Sequence, residues 1–219
     1  MSNSEQSFYV KNCALAATAT GERASSLLEL RDKLVLIDEG CIYFHFWGAR
    51  MTHQIVHTQH HNDFARWVHE QLHDHVLGER LSIIDPTEFD SLELLRQELV
   101  EAVERRLDDY QIMLWTKKED RFHFVSSTII VFESTLTIGN PDALLQVVPK
   151  LAPGSIYYHF IDARARTPER VDDFSVWLKQ FGAKYDPLVE EIQSIDPYFL
   201  TLPQVKEELI QVINKFFKG

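Results

Sequence analysis

A chain of 219 residues, 45% hydrophobic and 25% charged, has the make-up of a globular protein with one large core or two small ones. Its formal net charge of −11 argues against nucleic acid and anionic membrane surfaces as partners, and no apolar run approaches the ~20 residues of a membrane span. Two cysteines, Cys13 and Cys41, are too few for a disulfide framework, and the polar start of the chain lacks the regions of a secretory signal, so a soluble cytoplasmic protein is expected.

In chain order, residues 9–20 form an alanine-rich stretch that reads only weakly as a strand, and a short helix is expected near residues 24–36. Residues 40–46, Gly-Cys-Ile-Tyr-Phe-His-Phe, read as a second helix. The pair Asn62-Asp63 suits a helix start, where a short polar side chain caps the orphan N–H groups and a carboxylate meets the positive end of the dipole. Phe64, Trp67, Val68 and Leu72 then follow helical spacing. Leu77, Leu81 and Ile84 continue as another helix, which Asp85-Pro86 stops because the residue before proline is pushed out of the α region. A last helix carries Leu92, Leu95, Leu99, Val103 and Leu107. Residues 109–121 read as a linker; its Lys117, Lys118 and Arg121 are interrupted by Glu119 and Asp120 and suggest a solvated stretch. Its Ile112, Met113, Leu114 and Trp115 are expected to pack.

The same order then returns. A strand is predicted over residues 124–132, which are rich in β-branched and aromatic types, and a short helix over residues 141–148. Gly40-Cys41-Ile42-Tyr43-Phe44-His45-Phe46 reappears as Gly154-Ser155-Ile156-Tyr157-Tyr158-His159-Phe160, 114 residues on. Asp63-Phe64 and Trp67 reappear as Asp173-Phe174 and Trp177, Ile84-Asp85-Pro86 as Ile195-Asp196-Pro197, and Glu98-Leu99 as Glu208-Leu209. Phe8 and Cys13 align with Phe122 and Ser127. Rare residue types kept in order over such a length indicate an internal duplication. The expected fold is therefore mainly α-helical with a short strand in each half. Residues 8–108 and 122–219 would be tandem repeat units forming a pseudo-twofold assembly, packed as one body.

These motifs carry a resemblance. Thr20-Gly21-Glu22-Arg23-Ala24, Ile42-Tyr43-Phe44-His45-Phe46 and Asn62-Asp63-Phe64-Ala65-Arg66-Trp67 resemble an uncharacterised bacterial family catalogued only as a domain of unknown function. The second half, with residues 155–164 and Asp173-Phe174-Ser175-Val176-Trp177, resembles the same pattern but has residues 134–138 in place of the Thr-Gly-Glu-Arg-Ala turn. The resemblance implies a bacterial source and supplies no activity, cofactor or active site.

Two constellations offer chemistry. Tyr43, His45 and Arg50, repeated as Tyr157, His159 and Arg164, would line a pocket for an anionic ligand, since arginine presents a bidentate fork. Set against this, Arg pairing with Asp63 or Asp173, His bonding a carbonyl and Trp filling the core would explain the same residues as scaffold. Seven of the ten histidines fall between His53 and His75, and His69-Glu70-Gln71-Leu72-His73 has the H-E-x-x-H spacing that places two imidazoles on one helix face over a metal. His61 or His57 would be a third ligand, although Lys179 and Ala183 stand at the matching places of the second half. No GxGxxG, GxxxxGK[ST] or GxSxG motif appears. The reading is a binding protein without cofactor, acting on a protein or a small anionic ligand between the repeats, as monomer or homodimer. The alternative is a metal-dependent hydrolase confined to the first repeat.

Overall fold

The structure is a computed structural model that describes residues 7–51, 60–109 and 116–218, without the side chains of Ala49 and Arg50. The packing expected of residues 112–115 lies outside the described residues, as do His53 and His57.

Two strands, β1 (Phe8–Ala24) and β2 (Phe122–Ile138), pair as a two-stranded antiparallel sheet, one strand from each half of the chain. They are not short. Each runs 17 residues, about 55 Å at ~3.3 Å per residue. The alanines of β1, which weaken its sequence signal, cost little where the strand is exposed and its ladder with β2 supplies the hydrogen bonds. Alternation appears at the strand beginnings, where Phe8 and Val10 are buried around exposed Tyr9, and Phe122 and Phe124 are buried around exposed His123.

The helices fall largely where the periodicity puts them. They are α1 (Leu27–Leu36), α2 (Glu39–Met51), α3 (Asp63–Glu70), α4 (His75–Ser82) and α5 (Leu92–Asp109) before β2. After β2 come α6 (Leu144–Val147), α7 (Pro153–Ile156), a π-helical turn (Tyr157–Asp162), α8 (Ala163–Arg166), α9 (Asp173–Lys179), α10 (Asp186–Gln193) and α11 (Leu202–Lys218). The Ile-Tyr-aromatic-His-Phe segment is thus a regular helix in the first half and an α–π–α run in the second. Ser26 caps α1, Asn62 caps α3 and Asp172 caps α9, each side chain accepting a backbone N–H of the first turn.

The chain divides into two compact units that cut across both strands. One is Leu15–Thr128. The other joins residues up to Ala14 with those from Ile129 on. The repeat units read from the sequence keep each strand with its own following helices; the compact units do not. In the Leu15–Thr128 unit the start of β2 lies on the helices of the first half: Phe122 stacks on Phe64 at 5.1 Å between ring centroids and meets Trp67 edge-on at 5.6 Å. In the other unit the start of β1 lies on the helices of the second half: Phe8 stacks on Phe174 at 5.1 Å and meets Trp177 edge-on at 5.7 Å.

Glycine explains how close strand and helix come. A Cβ on Gly40 would stand 2.7 Å from the carbonyl oxygen of Ser127, and one on Gly154 would stand 2.2 Å from that of Cys13. The small residue beside each close approach uses it. The Ser127 hydroxyl donates to the Gly40 carbonyl at 3.4 Å, and the Cys13 thiol donates to that of Gly154 at 3.2 Å.

Candidate functional site

His45 lies in α2 with its side chain buried, and α3 brings Asp63 to it. The imidazole Nδ1 is 2.9 Å from Asp63 Oδ2, and Nε2 is 3.1 Å from the backbone nitrogen of Val125 in β2. The Val125 N–H can only donate, so Nε2 is the acceptor and carries no proton. Nδ1 then holds the ring hydrogen and donates it to the carboxylate. His159 repeats the arrangement, 2.7 Å from Asp173 and accepting the Lys11 N–H at 2.8 Å. Each histidine therefore ties a helix start to the far edge of a strand. Both ring nitrogens are spent on the scaffold, so neither is free to take a proton from a bound molecule without giving up a buried hydrogen bond.

Arginines complete both pairs, and they are not the ones the sequence singles out. Arg66 donates to Asp63 at 2.7 Å from the next turn of α3. Arg166 donates to Asp173 at 3.2 Å, to Asp162 and to the Tyr158 carbonyl, and lies over the Tyr158 ring at 4.0 Å. Arg164 turns elsewhere: its guanidinium donates to the Ile195 carbonyl at 3.2 Å and sits over Phe160 at 4.8 Å. Tyr157 is fully buried and Tyr43 half-buried, while the Arg50 side chain lies outside the described residues. Of the six candidates, then, the two histidines are seated alike; no pocket described here gathers the tyrosines and arginines around them.

Beside His45 the Leu15–Thr128 unit opens a cleft of about 330 Å³. Trp67 and Phe122 give it aromatic walls, Arg66 and Arg121 its guanidinium groups, and Glu70, Glu119 and Asp120 its carboxylates; Asp63, Gln71 and His123 complete the lining. Trp67 is fixed by donating its indole N–H to the Asp120 carbonyl at 2.7 Å. The Nε of Arg121 is buried and has no hydrogen-bond partner among the described residues. Arg66 was within reach of sequence reasoning, since it lies three residues after Asp63 on one helix; Arg121 and His123 were not, because they arrive on β2 and the turn before it.

The H-E-x-x-H stretch does not lie on one helix. α3 ends at Glu70, His73 takes a left-handed φ of 56°, and the Asp74 N–H bonds back to the Val68 carbonyl at 3.1 Å. That bond and the left-handed residue before it mark the stop of the helix, with histidine where glycine is usual. His73 therefore lies beyond the end of the helix that carries His69. The ring beside His69 is instead that of His60 on one side, at 4.5 Å, and of His75 on the other, at 4.2 Å. Burial first, and the neighbouring His69 second, push the His60 pKa down. Among the described residues no group of three His, Cys, Asp or Glu side chains is arranged to hold a metal ion. Burial pushes the Cys13 thiol up to about 11 and raises Cys41 as well, so both are protonated packing residues at neutral pH.

The comparisons with known proteins agree with the motifs. A model of DUF5752, a family of unknown function, matches residues 5–214. The chain belongs to this family. Among solved structures, OrfY from Thermoproteus tenax is similar at a TM-score of 0.82 and 28% identity, covering 97% of this chain and 96% of that one. No curated protein matches the sequence. No helix among the described residues is long and apolar enough to cross a membrane.

Proposed function

We propose that this DUF5752 protein is a non-catalytic binding protein whose ligand is a small polar molecule with an anionic group, held in the cleft between α3 and the start of β2. The observation that carries the reading is the Arg121 Nε, buried in the lining of that cleft without a partner among the described residues. A buried N–H left unpaired costs roughly 1–3 kcal/mol, and an anionic oxygen would recover it. The volume is within the range of small-molecule sites, and the aromatic walls offer a face for a planar or apolar part. The carboxylates of Glu70, Glu119 and Asp120 favour a molecule that also brings hydrogen-bond donors over a bare dianion. Binding is preferred to catalysis because the one buried imidazole in the cleft is held at both nitrogens. The reading includes a cytoplasmic setting, supported by two free buried thiols, and descent of the two halves from one duplicated unit, supported by the matched His–Asp–amide contacts.

The test is a thermal-shift screen of small carboxylic and phosphorylated metabolites, followed by titration calorimetry. At least one compound is expected to stabilise the wild-type chain and to lose ten-fold or more in affinity with Arg121→Ala. A hit that binds Arg121→Ala equally well, or no hit across both classes, would overturn the reading.

A further inference from the structure

We infer that the open edge of β2 is a self-association surface, on which a second copy of this chain adds its own β2 antiparallel. Among the described residues β2 has a strand neighbour, β1, on one side only. Which of its backbone groups face outward follows from Val125, whose N–H is given to His45 and so points away from β1. By the two-residue period of a strand, the N–H and C=O groups of Ile129, Val131 and Glu133 face the same open edge. Sequence there does nothing to guard it. Ile130, Val131 and Phe132 are 54%, 41% and 46% exposed, and residues 128–132 carry no charge in a chain of net charge −11. Natural edge strands are commonly protected by lysine or proline, and this one has neither over residues 128–133.

The occupant is identified by charge and register. Elsewhere two copies of a −11 chain repel one another, and this uncharged stretch is where they can meet. A twofold centred on Val131 makes Val131 and its copy a hydrogen-bonded pair that exchanges both N–H···O bonds. That register sets Ile130 opposite Phe132 of the second copy, twice over, an aromatic against a β-branched side chain. It also sets Glu133 opposite Ile129, so that no two charges face each other. Centring on Glu133 would put two carboxylates face to face, which selects the Val131 register.

The experiment is the solution mass of the full chain by sedimentation and light scattering from low micromolar to millimolar concentration. The wild-type chain is expected to run as a dimer at the upper end. Val131→Pro removes an N–H that only the second copy uses and leaves the ladder to β1 intact, so its mass is expected to halve with an unchanged circular dichroism spectrum. Should that variant misfold, charges decide: Ile130→Lys and Phe132→Glu are each expected to be monomeric, and the double variant, in which Lys meets Glu across the twofold, to regain the dimer. A wild-type chain monomeric throughout, or a dimer that survives in Ile130→Lys and Phe132→Glu, overturns the inference.

Discussion

Lys11 gives its backbone N–H to His159, 148 residues later in the chain, at 2.8 Å. The other nitrogen of the same ring is 2.7 Å from Asp173. This pair and its counterpart, Val125 with His45, fasten strand to helix in both compact units. His159→Ala should orphan the Lys11 amide and open a cavity, lowering stability by about 2–4 kcal/mol, and His45→Ala should do the same at Val125. Urea unfolding checks the magnitude. Amide exchange checks the cause: the Lys11 and Val125 N–H groups should be protected in the wild-type chain, and each should exchange fast in its own variant alone. Rapid exchange of both in the wild type would remove the basis of the assignment.

Trp67 is buried beneath Phe122 and donates its indole N–H to Asp120. Trp67→Ala should cost ~3–5 kcal/mol by cavity formation. Trp67→Phe retains most of the apolar contact and loses the hydrogen bond, at about 1 kcal/mol. A melting temperature insensitive to Trp67→Ala would show that the residue is not core.

Asp74 caps α4 and holds Arg106 of α5 through two contacts, at 2.8 and 2.9 Å, with both side chains largely buried. Asp74→Ala removes the cap and leaves a guanidinium behind in a dry place, so a loss of ~3–5 kcal/mol is expected in equilibrium denaturation. Asp74→Asn keeps the capping oxygen and should lose less. Equal losses from both variants would mean that the capping oxygen contributes nothing and the ion pair carries the whole effect.

Asp172 occupies the α9 cap that Asn62 occupies on α3, and burial raises its pKa despite hydrogen bonds from Ser175 and the nearby Arg164. A folded-state pKa above the unfolded one means that the carboxyl favours folding only while protonated. That contribution is complete below the unfolded value, near 3.8, and fades as pH rises through the folded one. Asp172→Asn should therefore raise the melting temperature at pH 7, with the gain shrinking as the pH is lowered toward the unfolded value. A variant less stable at pH 7 than at pH 4, relative to wild type, would reverse the sign.

His73 sits in the left-handed region at the end of α3. His73→Gly should relieve that strain and stabilise the chain by roughly 1 kcal/mol, while deleting the second histidine of the H-E-x-x-H string. A destabilised His73→Gly chain would show that the imidazole itself holds something in place.

Much of the helical framework was readable because an amphipathic helix writes its buried face into the spacing of Phe64, Trp67 and Val68, or of Phe174, Trp177 and Leu178, and because Asn62 and Asp172 announce helix starts. The end of α3 was hidden because its stop uses His73, a residue that carries no turn signal. The ownership of the strands was hidden for a different reason. Alternation at Phe8, Tyr9 and Val10 says that one face is buried, but a strand of 17 residues can carry that face to either set of helices. The cleft was only half legible: Asp63, Arg66 and Trp67 are neighbours on one helix, whereas Arg121 and Phe122 join them across the fold.

The division of β1 between the two units also bears on how the chain is made. Phe8 leaves the ribosome more than 160 residues ahead of the rings it settles on, Phe174 and Trp177. At ~5–20 residues per second the wait is roughly ten to thirty seconds. The Leu15–Thr128 unit has all its parts once Thr128 has emerged, so a nascent chain can complete that unit while Phe8 is still unburied and waiting for Phe174 and Trp177.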